Sequence, residues 1–156
     1  MNIRLLAVGG KMPDWVNAGF QDYQRRLPPH LKLQLTEIPL PKRRASLALE
    51  KSLAQEGEAL LKAAAGAQRV IALDVAGKQF STRQLADQLD EWLGLGGDVA
   101  LLIGGPDGLD ARVLQHCQQR WSLGKLTLPH PLVRVVLAEQ LYRAHSILVG
   151  HPYHRE

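Results

Sequence analysis

Two spacings of apolar residues alternate along this chain, and each is typical of one kind of secondary structure. Short, mainly aliphatic runs predict strands over residues 2–8, 31–38, 69–74 and 98–103 and around 121–123. Apolar residues three and four apart predict helices from Pro13, from Ser46, from Ser81, near 110–118, and from Pro131 to about Leu148. Ser81 and Gln84 also have the spacing of a capping box, which supports a helix start there.

The strand pattern indicates the class of fold. Runs that are aliphatic almost throughout, such as 69–74 and 98–103, are typical of strands covered on both faces. Helices that alternate with such strands supply the cover. The sequence therefore predicts an α/β fold, a mainly parallel sheet of five strands with helices on both faces. We find no repeat, low-complexity tract or linker, so residues 1–156 are expected to form one domain.

Composition narrows the class of protein. Hydrophobic residues make up 46% of the 156 residues, which suits a globular protein and excludes a disordered one. No apolar stretch approaches the roughly 20 residues that cross a bilayer, and the first residues lack a signal-peptide cleavage site. Cys117 is the one cysteine, which excludes an intrachain disulfide and a thiolate metal cluster. A cytoplasmic protein that contacts no membrane is expected.

Positive charge is concentrated in a few places. The net charge of +4 permits an anionic partner without requiring one. Lys42, Arg43 and Arg44 form a basic run in an expected loop, where phosphate contact and simple surface charge are about equally consistent with the pattern. Arg25 and Arg26 end an expected helix, where cations suit the negative end of the helix dipole.

A glycine turn follows the strand at 98–103. The run Gly104-Gly105-Pro106-Asp107-Gly108 lacks the spacing of a dinucleotide fingerprint, and Met12 replaces the Ser or Thr that a P-loop needs after Gly9-Gly10-Lys11. Ligands of open α/β sheets bind beyond the carboxyl ends of the strands. Leu73–Asp74, Gly104–Gly105 and 123–128 are expected to meet at that edge, so we interpret the glycine run as a ligand-binding loop.

The last helix and the tail carry polar groups of interest. Glu139 and Arg143 are four apart, which predicts an ion pair, and Arg134 is expected on another face, free for a substrate. The tail at residues 151–156 has no aliphatic residue and offers a ring, an imidazole and a guanidinium, which can stack on a base and bind its oxygens. His151 and His154 make an improbable metal pair, because Glu156 is the only carboxylate near them in the sequence.

These segments together resemble a known family. It comprises the small bacterial methyltransferases of the SPOUT class that modify N3 of a pseudouridine in large-subunit (23S) ribosomal RNA. The resemblance extends over essentially the whole chain. The stretches that carry it are Ala7–Gly9, Lys11–Trp15, Leu102–Pro106, Leu126–Arg134, Glu139, Leu141–Ala144 and Pro152–Arg155.

The resemblance implies a fold detail, a cofactor and partners. The C-terminal part would form a trefoil knot whose loops hold S-adenosylmethionine, without a metal. The donor contacts it implies are Leu73, Gly104, Gly105, Leu123, Gly124, Lys125, Leu126, Thr127 and Leu128. A homodimer with the last helix at its interface is expected, and the ribosome would present the substrate to so small a chain. The expected contacts to the substrate RNA are Lys42, Arg43, Arg44, His130 and Arg134.

Catalytic roles follow as hypotheses. N3 must lose its proton, so His154, or second to it Glu139, is the candidate base. Arg155 would stabilise charge on the neighbouring carbonyl oxygens, and Tyr153 would stack on or orient the base. Two alternatives remain open: a SPOUT methyltransferase for another RNA nucleotide, and a ribosome-binding protein without activity.

Overall fold

The computed structural model describes residues 1–40 and 48–155. The strands are β1 (Asn2–Val8), β2 (Lys32–Ile38), β3 (Arg69–Gln79), β4 (Val99–Ile103) and β5 (Gln119–Ser122). The helices are α1 (Asp14–Arg26), α2 (Leu49–Ala63), α3 (Thr82–Leu95), α4 (Ala111–His116) and α5 (His130–Leu148). The strands form one sheet in the order β2-β1-β4-β3-β5, and every neighbouring pair is parallel. The predicted parallel α/β sheet is confirmed.

The sheet has an apolar layer on each face. On one face, β1 residues such as Leu5 pack with α1, α3 and α5. On the other face, Leu6 and its neighbours pack with α2 and α4. Leu5 and Leu101 are fully buried and are partners in the β1–β4 register. Burial on both faces explains why the central strands are aliphatic almost throughout.

The ends of the elements follow local chemistry where a capping group is present. Gln84 donates its backbone N–H to the Ser81 hydroxyl at 3.1 Å, and Ser81 donates its own to the Gln84 side chain at 2.8 Å. The predicted capping box is therefore confirmed. The predicted cap Ser46 lies outside the described residues, and the helix there begins at Leu49 after Ala48, which contributes no side-chain cap.

The third strand is longer than the sequence predicts. β3 continues to Gln79, beyond the expected end at residue 74, and its pairing with β5 shifts between Leu73 and Lys78. A Cβ atom on Gly77 would lie 2.6 Å from the backbone carbon of Arg120. Only glycine lets the two strands approach so closely, so the chain leaves the sheet after Leu73 and rejoins it at Gly77.

Two glycines at the end of α3 predict opposite effects on stability. Gly94 is helical and exposed, and a Cβ atom there would meet nothing within 4 Å, whereas Gly96 has φ of +69°. Gly94→Ala should raise the free energy of unfolding by about 0.5 kcal/mol, because alanine loses less backbone entropy in a helix. Gly96→Ala should lower it by about 1 kcal/mol, because alanine is strained there. Urea unfolding of both variants checks the signs, and equal signs would contradict the argument.

Candidate functional site

A cavity of about 810 Å³ opens at the carboxyl edge of the sheet. Its walls come from the residues after β1, β3, β4 and β5 and from the start of α5. This volume lies within the range of small-molecule sites, and the site is where open α/β sheets bind ligands. Most lining side chains are apolar or absent, so backbone N–H and C=O groups supply much of the polarity. The cavity is therefore suited to a ligand of nucleoside size.

The wall after β4 is a tight glycine turn. Gly108 donates its backbone N–H to Gly105 at 3.0 Å, and the two residues form an antiparallel bridge. A Cβ atom on Gly104 would lie 2.5 Å from the carbonyl oxygen of Gly108. Gly108 itself has φ of +81°, which other residues rarely adopt. The turn thus requires glycine, and it brings bare backbone to the cavity.

The excursion in β3 supplies the facing wall. Leu73, Asp74 and Val75 line the cavity, and Val75 is 78% exposed. The Asp74 carboxylate accepts the backbone N–H of Ala76 at 3.4 Å, which shapes this excursion. Asp74 was expected at this edge of the sheet, whereas Val75 was not predicted, although Gly77 two positions later is a signal for such a departure from the sheet.

The loop between β5 and α5 completes the cavity. Eight of the nine residues expected to hold S-adenosylmethionine line it: Leu73, Gly104, Gly105, Leu123, Gly124, Leu126, Thr127 and Leu128. Lys125 is exposed and is not among the lining residues. Leu126 is 81% exposed, so the loop presents apolar surface at the cavity. The structure gathers these residues as expected, and their role toward a donor stays a prediction.

Arg134 does not lie where the sequence predicted. Its side chain is 1% exposed, so the expectation that it is free for a substrate is wrong. Its Nη1 atom lies 3.6 Å from Oε1 of Glu37 on β2, and its Nε donates to Nε2 of His130 at 3.1 Å. A helix position alone could not reveal this, because the counter-charge comes from a distant strand. His130 does line the cavity.

The tail folds back along the second half of α5. Tyr153 donates its hydroxyl to Oε1 of Glu139 at 3.0 Å, and the Nε of Arg143 donates to the same oxygen at 2.8 Å. The predicted ion pair of Glu139 and Arg143 is confirmed, with 2.5 Å between Oε1 of Glu139 and Nη2 of Arg143. Burial, with hydrogen bonds to Tyr23 and Glu139, raises the pKa of Tyr153 above its usual value, so the phenol remains a donor.

The catalytic candidates are engaged with one another. Gln140 donates to Oε2 of Glu139 at 2.7 Å, so both oxygens of this carboxylate already accept hydrogen bonds. Nη1 of Arg143 lies 3.4 Å from Nδ1 of His154, and a guanidinium can only donate. In this arrangement the lone pair at Nδ1 is covered, so His154 must leave Arg143 to accept a proton there. Arg155 is exposed.

Aromatic rings and cations extend this tail cluster. The ring of Tyr142 packs edge-on against Tyr153 at 4.7 Å between centroids, and the Arg143 guanidinium lies 4.7 Å from the Tyr153 ring. The Arg26 guanidinium lies 5.3 Å from the Tyr23 ring and 5.7 Å from the Tyr142 ring. Sequence analysis predicted only that Arg26 is a charge at a helix end, and the contact of Arg26 with Tyr142 was missed.

Within one chain the tail and the cavity are far apart. His130, at the cavity, and Arg143, at the tail, are both on α5, and the helix rise places them about 20 Å apart. Lys42, Arg43 and Arg44, the expected RNA contacts of the basic loop, lie outside the described residues.

Residues 1–40 and 48–155 contain no helix long and apolar enough to span a membrane. In the same ranges, no group of three or more His, Cys, Asp or Glu side chains is arranged to hold a metal ion.

The sheet and its glycine-lined edge cavity define an α/β protein of the kind that binds nucleotide-like ligands. The chain belongs to the SPOUT methyltransferase family: residues 1–154 match the family described as "Predicted SPOUT methyltransferase". The protein named ribosomal RNA large subunit methyltransferase H from Hahella chejuensis is 54% identical over 156 residues, covering 100% of both chains. The protein of the same name from a Marinomonas species is 50% identical over 155 residues, covering 99% of this chain and 100% of its own.

Solved structures show the same fold at low identity. A probable methylase family protein from Haemophilus influenzae Rd KW20 is 12% identical with a TM-score of 0.61, over 99% of this chain and 70% of its own. A probable methyltransferase from Bordetella pertussis Tohama I is 18% identical with a TM-score of 0.59, over 91% of this chain and 93% of its own.

Proposed function

We propose that this protein is an S-adenosylmethionine-dependent methyltransferase that methylates N3 of a pseudouridine in large-subunit ribosomal RNA. The observation that carries the proposal is the edge cavity, which is lined by eight of the nine residues expected to hold the donor. The full-length identity to two proteins named ribosomal RNA large subunit methyltransferase H supports the substrate class.

The residues present fit the donor. The cavity is large enough for a nucleoside with an amino-acid arm, and backbone groups of the 104–108 turn and of the loop after β5 can bind an adenine edge and a ribose. S-adenosylmethionine, when bound, supplies an activated methyl group. Family membership supports a knotted C-terminal part around this cavity, since the loops after β4 and β5 would then clasp the donor from two sides.

The acceptor needs a base and a cation, and no Lys or Arg is among the described residues that line the cavity. The N3 imide must lose a proton to a base, and a cation beside its carbonyl oxygens would stabilise the charge that develops. His154 and Arg155 carry those groups in the tail, and Tyr153 offers a ring for stacking on the target base. Positioning should contribute most, since near-attack geometry is worth about 7–11 kcal/mol.

The separation of tail and cavity supports action as a homodimer. About 20 Å along α5 divides them within one chain. A partner copy would bring its tail to this cavity and complete the site. Exposed apolar residues at the carboxyl edge, Trp15 on α1 and Leu132 on α5, are available for such an interface.

Product mapping tests the proposed function. Purified protein and labelled donor would be offered to unmodified ribosomes, separate subunits and naked RNA, and the labelled nucleoside identified by mass spectrometry. We expect label in 3-methylpseudouridine of the large-subunit RNA. Label in another nucleotide would indicate a different SPOUT substrate. Donor binding without any transfer would indicate a ribosome-binding protein without this activity.

His154 should matter for the rate and little for the donor. His154→Ala should lower the methyl-transfer rate by about 10²–10⁴-fold, because the base is lost. Donor affinity by calorimetry should stay within about threefold, because His154 is proposed to act on the acceptor and is not among the residues that line the cavity. His116→Ala, on the exposed end of α4, is the control. An unchanged rate in His154→Ala would exclude His154 as the base.

A further inference from the structure

A chain of three side chains connects the edge strand β2 to the glycine turn. Glu37 on β2 faces the buried Arg134 guanidinium, with 3.6 Å between Oε1 and Nη1. Nε of Arg134 is 3.1 Å from Nε2 of His130, one helical turn earlier on α5. Nδ1 of His130 is 3.3 Å from the carbonyl oxygen of Gly104. We call Glu37, Arg134 and His130 the relay.

The relay fixes the protonation of His130. A guanidinium has only donors, so the contact with Arg134 requires a lone pair at Nε2 of the imidazole. The one proton of the neutral ring must then lie at Nδ1, from which it is donated to the Gly104 oxygen. Burial, and after it the charge of Arg134, lower the pKa of His130, so the neutral ring is favoured. The hydrogen-bond geometry and the lowered pKa therefore both favour the neutral ring, and the geometry places its proton at Nδ1.

The relay is enclosed on the cavity side by backbone. A Cβ atom on Gly9 would lie 3.9 Å from Nη2 of Arg134 and 3.9 Å from Nε2 of His130, so the bare Gly9 peptide covers both groups. Gly9 lines the cavity and has φ of +134°. Nη1 and Nη2 of Arg134 reach no hydrogen-bond acceptor among the described residues. Arg134 is therefore held by its ion pair with Glu37 and by one hydrogen bond to His130.

An ion pair with one buried partner, here Arg134 with the 39%-exposed Glu37, is a weak source of net stability, and the attested use of such pairs is to impose a particular arrangement. Here the element being arranged is the Gly104 carbonyl. Gly104 begins the turn whose backbone lines the cavity. Its backbone packs closely against Gly108, because a Cβ atom on Gly104 would overlap the Gly108 carbonyl oxygen. Orienting His130 therefore orients the start of the turn.

We propose that Arg134 and Glu37 are positioning residues that hold His130 as the Nδ1–H tautomer, and that His130 in turn holds the 104–108 turn in its donor-binding shape. The inference rests on the proposed function only for the identity of the ligand. It assigns a role to Arg134 other than contact with RNA.

Two replacements of His130 separate its two hydrogen bonds. An asparagine amide reaches where Nδ1 stands and keeps a donor for Gly104, whereas a glutamine amide reaches where Nε2 stands and keeps only the contact with Arg134. His130→Asn should bind S-adenosylmethionine within about threefold of the wild type. His130→Gln should bind about tenfold more weakly, the effect of one lost hydrogen bond. The donor KM should rise by a similar factor in His130→Gln and stay near the wild-type value in His130→Asn.

The tautomer is observable without any reaction. Nitrogen-15 NMR of labelled imidazole should show His130 with a protonated Nδ1 and an unprotonated Nε2 in the wild type. Arg134→Met keeps about the length of the side chain and removes its charge, and the Glu37 carboxylate left behind is 39% exposed and can be solvated. We expect a mixture of tautomers in this variant and about tenfold weaker donor binding. If it fails to fold, the two His130 variants still decide.

Equal losses in His130→Asn and His130→Gln would overturn the relay, as would an Arg134→Met variant with unchanged tautomer and affinity. A proton at Nε2 of the wild-type ring would also overturn it. A wild type that binds no donor would overturn the proposed function and this role together. A wild type that binds and methylates, with insensitive variants, would overturn the relay alone.

Discussion

Alanine in place of Gly104 should weaken S-adenosylmethionine binding by about 100-fold or more. The added Cβ atom would lie 2.5 Å from the oxygen and 2.7 Å from the carbon of the Gly108 carbonyl group. Backbone cannot yield as the end of a side chain can, so the turn must open. Opening would separate the walls of the cavity and withdraw the Gly104 carbonyl from His130.

Gly10→Ala is the matched control for this variant. Gly10 lines the same cavity, yet a Cβ atom there would meet nothing within 4 Å among the described residues. Its donor affinity should stay within about threefold of the wild type. Titration calorimetry measures both variants, and thermal unfolding checks that both are folded. A folded Gly104→Ala protein with wild-type affinity would exclude this turn as part of the donor site.

The fold and the cavity were accessible from sequence because both depend on short-range rules. Aliphatic runs that alternate with helical periods define a covered parallel sheet, and the carboxyl ends of parallel strands meet at one edge. The capping box at Ser81 needs only residues three apart. Eight of the nine predicted donor contacts line the cavity for the same reason, although they were named from the family resemblance and not from spacing, and their role stays a prediction.

The errors concern partners that are distant in sequence. The continuation of β3 to Gln79 depends on β5, whose backbone passes close to Gly77. The burial of Arg134 on α5 depends on its ion pair with Glu37, which lies on β2, far away in the sequence. The helix position of Arg134 favoured an exposed cation, which is wrong because this residue is 1% exposed. In both cases the environment is set by a contact that no local pattern encodes.

The structure shows contacts of the tail that the sequence did not predict. The sequence indicated Tyr153, His154 and Glu139 as candidate catalytic groups, without showing that Tyr153 donates to Glu139. It predicted the ion pair of Arg143 with Glu139, and it did not show that Arg143 also contacts His154. These contacts hold the tail against its own helix, away from its own cavity. The arrangement leads to a second prediction, about which copy of the chain supplies each part of a site.

A mixed dimer should recover activity that neither parent has. We consider one subunit with Gly104→Ala, which lacks a donor cavity, and one with His154→Ala, which lacks the base. If each site combines the cavity of one chain with the tail of the other, the mixed dimer contains one intact site. Its rate should then be about half that of the wild-type dimer, because a symmetric dimer has two such sites. Sites built within one chain would leave the mixed dimer with none.

Two different affinity tags on co-expressed subunits allow the mixed dimer to be purified, and mass spectrometry before and after the assay checks that subunits have not exchanged. Methyl incorporation into unmodified ribosomes is the readout, with each parental dimer measured at the same concentration. A mixed dimer as inactive as its parents would contradict a shared site. It would then require the tail to detach from Glu139 and Arg143 and cross about 20 Å to its own cavity, since α5 holds the two ends of that path rigidly apart.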